Sequence, residues 1–240
     1  MKRAVGAGAA LAASWSLPAL APIVPAVAAA LGIPTRASAP GVAITFDDGP
    51  HAAGTSAVLE TLAAAQVRAT FFLVGEQVLR MPALAAEIVA AGHAVAVHGH
   101  RHRNMLRLPP RAIAADLDRG AAVIADATGV RPVLHRPPYG IYSWPGLAAV
   151  RARGWTPVLW SRWGRDWRRS ATGPGIAALV AAGVRAGDVL LLHDADHYSA
   201  PESWRATAAA LPRVLDAVAA ARLAPVPLAS GDDVAQPSGR

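Results

Sequence analysis

The chain has 240 residues, is 53% hydrophobic and carries a formal net charge of +7. A chain of this length and composition buries one sizeable core, so we expect one domain or at most two, and intrinsic disorder is excluded as its overall state. The absence of cysteine excludes structural disulfides, thiolate zinc sites and cysteine nucleophiles, so any metal site must use histidine and carboxylate ligands.

The positive charge comes almost entirely from arginine. It favours an anionic environment such as a phosphate-rich envelope polymer, a membrane surface or nucleic acid. The arginines are scattered along the sequence, apart from the stretch 162–169. We therefore expect a solvated surface and no nucleic-acid partner.

The first 40 residues differ from the rest of the chain. After Lys2 and Arg3 no charge appears until Arg36, and the intervening stretch is apolar and rich in alanine. This layout is typical of a secretory signal peptide, with residues 26–28 as a candidate cleavage site. It is also long enough for a membrane anchor, although its prolines weaken the case for one unbroken helix. We predict that residues 1–40 are a signal peptide or an N-terminal membrane anchor of an exported protein. A buried N-terminal helix is the alternative.

From about residue 41, short apolar runs alternate with longer amphipathic segments. The predicted strands are 42–46, 69–74, 94–97, 133–136, 157–160, 189–192 and 224–228. The predicted helices begin near residue 56 and then cover 81–91, 109–128, 176–184 and 204–220. Alternating strands and helices predict an α/β fold with a parallel sheet, as a closed or partly open barrel or as a doubly wound sheet. Residues 231–240 are predicted to form a polar tail.

The first polar cluster lies where the first predicted strand ends. The segment 45–50, Thr-Phe-Asp-Asp-Gly-Pro, contains the adjacent carboxylates Asp47 and Asp48. Such a pair is most readily tolerated when a cation lies between the two groups, or when one binds a metal and the other handles protons. The same residue types also form ordinary turns, so this segment alone does not decide between a site and a loop.

The second polar cluster follows the run 94–97. His98 and His102 are four residues apart, so a helical turn would direct both at one cation, whereas His100 would point elsewhere. Neutral imidazoles are common zinc ligands. A solvated basic turn is the alternative, and the combination with Asp47 and Asp48 favours the metal site.

Two further polar clusters also follow predicted strands. They are Arg-Pro-Pro-Tyr-Gly at 136–140 and His-Asp at 193–194. Because the carboxyl ends of parallel strands form the ligand-binding face of α/β folds, we expect all four clusters to converge there. Two histidines and one carboxylate could hold a metal that activates water, with a second carboxylate and a further histidine left over as base and acid.

The ordered motifs resemble those of one known family. Thr-Phe-Asp-Asp-Gly, His-x-x-x-His, Arg-Pro-Pro-Tyr-Gly, Asp-Trp and Leu-Leu-His-Asp are similar to the motifs of the polysaccharide deacetylases, carbohydrate esterase family 4, with the NodB homology domain. The resemblance covers about residues 41–230, predicted as the catalytic domain. It implies a distorted (β/α)7-type barrel with the active site at the C-terminal ends of the strands. It also implies metal-dependent removal of acetyl groups, most of all N-acetyl groups, from a cell-envelope or extracellular polysaccharide.

The resemblance implies the roles of individual residues. The implied ligands of a divalent metal, zinc or a similar ion such as cobalt, are Asp48, His98 and His102. The implied catalytic residues are the general base Asp47, oriented by Arg136, and the general acid His193, oriented by Asp166. The implied substrate contacts are the backbone N–H of Tyr139 and the side chains of Pro138, Trp167 and Leu191.

Two positions depart from the family pattern. Gly99 stands where the second motif usually has serine or threonine, and metal binding should survive this change because no ligand is lost. Trp163 stands where the fourth motif usually has aspartate, which affects the expected substrate contacts more than catalysis. The tryptophans at 160, 163 and 167 could equally pack in the core or stack on sugars.

Several alternatives stay open at the level of sequence. The same machinery would serve an O-acetyl esterase acting on xylan or peptidoglycan, and a non-catalytic carbohydrate-binding protein could keep the same barrel. Residues 196–198 could form a loop at the mouth of the cleft or a surface turn. His51, His93 and His135 are expected to serve hydrogen bonding or packing. The oligomeric state is open.

Overall fold

A seven-stranded parallel sheet lies at the centre of the computed structural model, which describes residues 15–235. Its strands are β1 (Ala43–Asp47), β2 (Thr70–Leu73), β3 (Ala94–Val97), β4 (Leu134–His135), β5 (Thr156–Pro157), β6 (Arg162–Trp163) and β7 (Val189–His193). The order across the sheet is β5-β4-β3-β2-β1-β7-β6, and each neighbouring pair is parallel. The sheet curls into a half-barrel with helices around it, which confirms the predicted distorted (β/α)7-type barrel.

The α-helices with described bounds are α1 (Pro25–Ala30), α2 (Gly54–Ala64), α3 (Gly75–Arg80), α4 (Pro82–Ala90), α5 (Pro110–Thr128), α6 (Trp144–Ala152), α7 (Gly173–Ala181) and α8 (Ser203–Ala220). Short 3-10 helices cover Leu17–Leu20, Met105–Arg107, Pro138–Gly140 and Gly231–Asp233. The predicted helices correspond to α2, α4, α5, α7 and α8, whereas α3 and α6 were not predicted. The predicted start of α5 is confirmed, since the helix begins at Pro110. Proline is tolerated in the first turn because the N–H that it lacks would have no partner within the helix.

Two of the predicted strands differ from those in the structure. The strand predicted at 224–228 was wrong, since this segment forms only an isolated bridge between Val42 and Pro225, and a proline cannot donate to a ladder. The strand predicted at 157–160 ends at Pro157 in the structure. The chain then crosses to the other edge of the sheet as β6, whose two residues are too few for a periodic signal.

The two faces of the sheet carry different residues. Along β1, Ile44 and Phe46 belong to one buried cluster and Ala43 to a second. Because successive side chains of a strand point to opposite faces, Thr45 and Asp47 share the face of Ala43. One face of β1 therefore presents the large apolar side chains of Ile44 and Phe46, and the other face carries the polar residues of the site.

The described part of the N-terminal segment packs against the barrel. Ala28 and Ile33 are buried, and Pro34 O accepts a hydrogen bond from Leu159 N–H at 2.9 Å. No helix between residues 15 and 235 is long and apolar enough to cross a membrane. Residues 1–14 of the predicted signal peptide or anchor lie outside the described residues, so cleavage and anchoring stay predictions.

The predicted polar tail, 231–240, is described only as far as residue 235. Within that part Val234 is buried and forms an antiparallel bridge with Ala37. The start of the segment therefore packs beside the N-terminal segment. Residues 236–240 lie outside the described residues, so a tail there stays a prediction.

Helix α5 passes very close to the loop that follows β3. Gly120 of α5 is buried, and a Cβ atom at this position would lie 2.9 Å from both Gly99 C and His100 N. Both are backbone atoms, which move only if the loop moves. Glycine at position 120 therefore allows the helix to support the loop that carries His98 and His102.

We expect Gly120→Ala to lower the free energy of unfolding by about 1–3 kcal/mol, because the added methyl group must push α5 away from the loop. Helix propensity alone predicts the opposite sign, a gain of about 1 kcal/mol. Urea unfolding followed by circular dichroism measures the difference. The control is Ala115→Ser on the exposed face of α5, expected to change stability by less than about 0.5 kcal/mol. A more stable Gly120→Ala protein would contradict the close approach.

Candidate active site

A cavity of about 340 Å³ opens at the carboxyl ends of the strands. Asp47 ends β1 and His193 ends β7, and the two residues are paired in the register of these neighbouring strands. The cavity is lined by Asp47, Asp48, His98, His102, Tyr139, Gly140, Trp160, Trp163, Trp167, Leu191, His193, Tyr198 and Ser199. The parallel sheet thus brings together clusters that lie up to about 145 residues apart in sequence.

Three side chains present potential ligand atoms to one point. Asp48 Oδ1 lies 3.4 Å from His98 Nε2 and 3.3 Å from His102 Nε2. In the described part of the chain this is the one group of histidine and carboxylate side chains compact enough to hold a metal ion. Asp48 Oδ1 is buried and has no hydrogen-bond partner of normal geometry within that part. A buried oxygen without such a partner fits a site that is completed by a cation.

The ionisation of these groups suits a metal. Burial raises the pKa of Asp48, but the imidazoles of His98, His193 and His102 lower it more, to about 2. Burial lowers the pKa of His102 to about 4, although the Asp48 carboxylate opposes this shift. At neutral pH the site therefore presents a charged carboxylate and, at His102, a neutral imidazole, which are the forms that bind metal ions.

The loop 98–102 does not form the helical turn that the sequence predicted. It is an irregular bend in which Gly99 has a φ of +85°. The imidazoles of His98 and His102 nevertheless meet, with ring centroids 5.3 Å apart. The left-handed conformation explains glycine at position 99, because a side chain there would be strained and its Cβ would lie 3.0 Å from Asp116 Oδ2. His100 points away from the ligand group, as predicted.

A buried arginine holds Asp47. The Arg136 side chain is fully buried and its Nη1 donates to Asp47 Oδ1 at 2.6 Å and to Thr45 Oγ1 at 2.8 Å. Its remaining nitrogens donate to the carbonyl oxygens of Val158 and Leu159 at 3.3 and 3.2 Å. The backbone of Arg136 contributes too, since His98 Nδ1 lies 2.9 Å from its carbonyl oxygen. One residue therefore positions both Asp47 and a candidate ligand.

Replacing this arginine should be costly. We expect Arg136→Met to lower the free energy of unfolding by about 3–5 kcal/mol, because the Asp47 carboxylate would stay buried without its partner. The control is Arg205→Met, whose partner Glu202 is exposed, with an expected loss below about 1 kcal/mol. Guanidinium unfolding curves of the two variants measure the difference. Equal losses would contradict the role assigned to the buried pair.

His193 is paired with a second buried carboxylate. Its Nδ1 lies 2.8 Å from Asp166 Oδ1, and Asp166 Oδ2 accepts from His193 N–H at 2.7 Å and from Thr207 Oγ1 at 2.8 Å. Burial lowers the pKa of His193, but the charges of Asp166, Asp48 and Asp47 raise it more, to about 10. His193 is therefore protonated at neutral pH, and Nδ1 is held by Asp166, so Nε2 is the atom that can give a proton to a ligand in the cavity.

Residues 35–158 match the family model described as polysaccharide deacetylase. The chain belongs to the polysaccharide deacetylase family. A chitooligosaccharide deacetylase of Sinorhizobium fredii (strain NBRC 101917 / NGR234) is 39% identical over 160 residues, which are 65% of this chain and 73% of that protein. The predictions of the family and of a deacetylase class of enzyme are therefore confirmed.

Two solved structures of polysaccharide deacetylase relatives share this fold. A family 4 carbohydrate esterase from Streptomyces lividans, in complex with acetate, aligns with a TM-score of 0.72 and 31% identity over 82% of this chain and 98% of that one. A family 4 acetyl xylan esterase from Clostridium thermocellum, in complex with a cobalt ion, aligns with a TM-score of 0.70 and 30% identity over 78% of this chain and 87% of that one. The metal-dependent character of the family agrees with the ligand group found here.

The structure brings most of the predicted site residues of this polysaccharide deacetylase to one place. Arg136 and Asp166 lie behind the cavity wall, where they hold Asp47 and His193. Pro138 is the exception among the predicted substrate contacts, because it is buried near Gly99 and does not line the cavity. His51, His93 and His135 lie outside the ligand group and each makes a hydrogen bond elsewhere.

Sequence reasoning missed Thr45 and left open whether Tyr198 belongs to the site. Thr45 accepts a hydrogen bond from Arg136 and donates to Leu190 O at 2.7 Å; the alternation of side chains along β1 could have found it, since Thr45 shares the face of Asp47. Tyr198 lines the cavity from the loop after β7, where no periodic pattern gives a signal.

Proposed function

We propose that the protein is a metal-dependent hydrolase that removes N-acetyl groups from a cell-envelope or extracellular polysaccharide. The observation that carries this proposal is one cavity that combines a three-residue ligand group, a carboxylate held by a buried arginine and a histidine held by a buried carboxylate. The relative from Sinorhizobium fredii is a chitooligosaccharide deacetylase, which supports an amide substrate. The acetyl xylan esterase from Clostridium thermocellum supports O-acetyl esters as the second candidate.

We assign the cation site to Asp48, His98 and His102. Their donor atoms, one carboxylate oxygen and two imidazole nitrogens, suit zinc and similar ions, and we propose zinc, with cobalt as an alternative. When bound there, the cation would polarise the acetyl carbonyl and make a water molecule at the site more acidic. His98 keeps its Nε2 turned to Asp48 through the contact of its Nδ1 with Arg136 O.

We assign the general base to Asp47. Arg136 holds its Oδ1, whereas its Oδ2 lies 3.9 Å from His98 Nε2 on the side of the ligand group. The carboxylate can therefore take a proton from a water molecule that attacks the acetyl carbonyl carbon. The resulting tetrahedral carbon carries a negatively charged oxygen that needs hydrogen-bond donors.

The backbone of Tyr139 is placed to provide one donor. Tyr139 has a φ of +61° in the turn that follows β4. The hydrogen bonds of this turn run from Gly140 N–H to Pro137 O and from Ile141 N–H to Pro138 O, and within residues 15–235 the Tyr139 N–H takes part in neither. Tyr139 also lines the cavity. We therefore assign its N–H to the oxyanion.

We assign the general acid to His193. When the tetrahedral intermediate collapses, the bond between carbon and nitrogen breaks, and the leaving amine needs a proton. His193 is protonated at neutral pH, and its Nε2 can supply that proton. The products are acetate and a free amino group on the sugar, and the proton taken up by Asp47 returns to His193 or to solvent.

The walls of the cavity suit a sugar polymer. Leu191 and Trp167 line the cavity beside His193 and offer an apolar surface to the acetyl methyl group. Trp163 lies between Trp160 and Trp167, with ring centroids 5.8 and 5.4 Å away. Its side chain packs against the buried cluster and also lines the cavity. A cavity of about 550 Å³ shares Tyr139 with the site cavity, and one of about 580 Å³ shares Trp160 and Trp163 with it. These neighbouring cavities give a glycan chain room to extend beyond the reacting residue.

The proposed location is outside the cytoplasm. It rests on the charge and alanine pattern of residues 1–40 and on the nature of the substrate, since acetylated structural polysaccharides lie in the cell envelope or beyond it. Membrane association through the N-terminal segment belongs to the same proposal.

The direct test is acetate release from N-acetylglucosamine oligomers and from acetylated xylan, with zinc-loaded protein. We expect release from the amide substrate, and we expect Asp47→Asn to lower kcat by about 10²–10⁴-fold while zinc content stays near one ion per chain. His98→Ala should lose the zinc itself.

The control for Asp47→Asn is the zinc content of the same preparation, because asparagine can still accept the hydrogen bond from Arg136. A near-normal rate in Asp47→Asn would disprove the assignment of the base. Zinc-loaded protein that binds these glycans and releases acetate from none of them would favour a carbohydrate-binding protein over an enzyme.

The pH dependence of kcat tests the acid. His193 must be protonated, so the rate should fall on the alkaline side as His193 loses its proton. Asp166→Asn removes the main group that raises the pKa of His193, so the alkaline limb of the profile should move to lower pH. Thr207→Val is the control, since it removes a hydrogen bond to Asp166 but leaves the charge in place. An unchanged limb in Asp166→Asn would refute the pairing.

A further inference from the structure

The two candidate histidine ligands differ in the contacts that hold their rings. A metal-binding histidine nearly always donates its second ring N–H to a carboxylate, a carbonyl or water. His98 has such a contact, with its Nδ1 2.9 Å from Arg136 O. The Nδ1 of His102 is buried and makes no comparable hydrogen bond to another residue between 15 and 235. The closest contacts of this imidazole with side chains outside the ligand group are ring contacts.

Two tyrosine rings enclose His102 instead. The ring of Tyr198 lies parallel to the imidazole, with centroids 4.2 Å apart and an interplanar angle of 9°. The ring of Tyr139 meets it edge-on at 4.4 Å and 66°. Tyr198 belongs to the segment 196–198, for which the sequence left a cleft loop and a surface turn as alternatives, and its side chain lines the cavity. The loop after β7 therefore reaches across the site to the candidate ligand.

The hydroxyl group holds the Tyr198 ring in this position. It donates a hydrogen bond to Glu76 Oε1 at 2.7 Å and accepts one from Gln77 Nε2 at 2.9 Å. Both partners lie in the first turn of α3, and Gln77 is buried. The ring is thus held at its outer end by a helix that contributes no residue to the ligand group.

We propose that Tyr198 is a positioning residue that orients His102 for metal binding. This inference rests on the proposed metal site. A cation at Nε2 withdraws electrons from the imidazole, and the electron-rich face of the phenol then stabilises the electron-poor ring. The stack also restricts rotation of the imidazole about its bond to Cβ, so that Nε2 stays directed at Asp48. Tyr198 does not touch the reacting atoms in this role.

Zinc affinity of the full chain, measured without substrate by competition with a chelating dye, tests the proposal. We expect Tyr198→Leu to weaken zinc binding by about 10–100-fold, the usual cost of losing a group that orients a ligand. Tyr198→Phe keeps the ring and should lose less than Tyr198→Leu. Ser199→Ala is the control, because Ser199 lines the cavity from the same loop and does not stack on His102. The visible absorption spectrum of the cobalt-loaded forms should change in Tyr198→Leu and stay as in wild type in Ser199→Ala.

The outcomes separate this inference from the proposed function. Zinc affinity and a cobalt spectrum equal to wild type in Tyr198→Leu, together with a raised KM, would overturn the proposal and make Tyr198 a wall of the substrate cleft. A wild-type protein that binds neither ion would instead refute the metal site itself. Thermal unfolding of the metal-free proteins shows whether Tyr198→Leu folds. If it does not, Tyr198→Phe and Glu76→Ala, which remove hydrogen bonds that hold the ring but leave the ring in place, should still weaken zinc binding, and unchanged affinity in both would contradict the proposal.

Discussion

The buried pair of Arg136 and Asp47 is the constraint on which the rest of the site depends. A guanidinium group with no solvent exposure is stable only if its donors are used, and Arg136 uses them on Asp47, Thr45 and two backbone carbonyls of the chain after β5. The same residue orients His98 through its own carbonyl oxygen. Strands β1, β3, β4 and β5 are thereby connected near their carboxyl ends by the side chain and the carbonyl oxygen of one residue, and the carboxylate at the end of β1 is held in place.

This constraint explains how two adjacent aspartates can serve different purposes. Asp47 ends the regular strand and faces Arg136, whereas Asp48 has a φ of +80° and turns its carboxylate to the two histidines. Asp47 has a permanent cation, Arg136, as its partner, and the proposed metal ion would be the partner of Asp48. The mutual repulsion of neighbouring carboxylates, which makes such a pair unfavourable in an ordinary turn, would then be offset at both residues.

The sequence was sufficient for the parts of the site that follow long apolar runs. Asp47 and His193 end β1 and β7, His98 and Arg136 directly follow β3 and β4, and the parallel sheet brings these four residues to one edge. The sequence was insufficient where long-range packing determines the structure. Strand β6 has only two residues, and Tyr198 lies in a loop without a periodic pattern of apolar residues, so neither gives a signal in the sequence. The bend at Gly99 was also missed, since the spacing of two histidines does not distinguish a helical turn from a left-handed residue between them.

The roles assigned to the site residues all require that a single cation binds between Asp48, His98 and His102 and not at Asp47. A crystal of the zinc-loaded protein, measured with X-rays on both sides of the zinc absorption edge, tests it directly. We predict one anomalous peak per chain, enclosed by Asp48 Oδ1 and the Nε2 atoms of the two histidines, with Asp47 still paired with Arg136. A peak coordinated by Asp47, or no peak in this cavity while zinc is bound elsewhere on the chain, would contradict it.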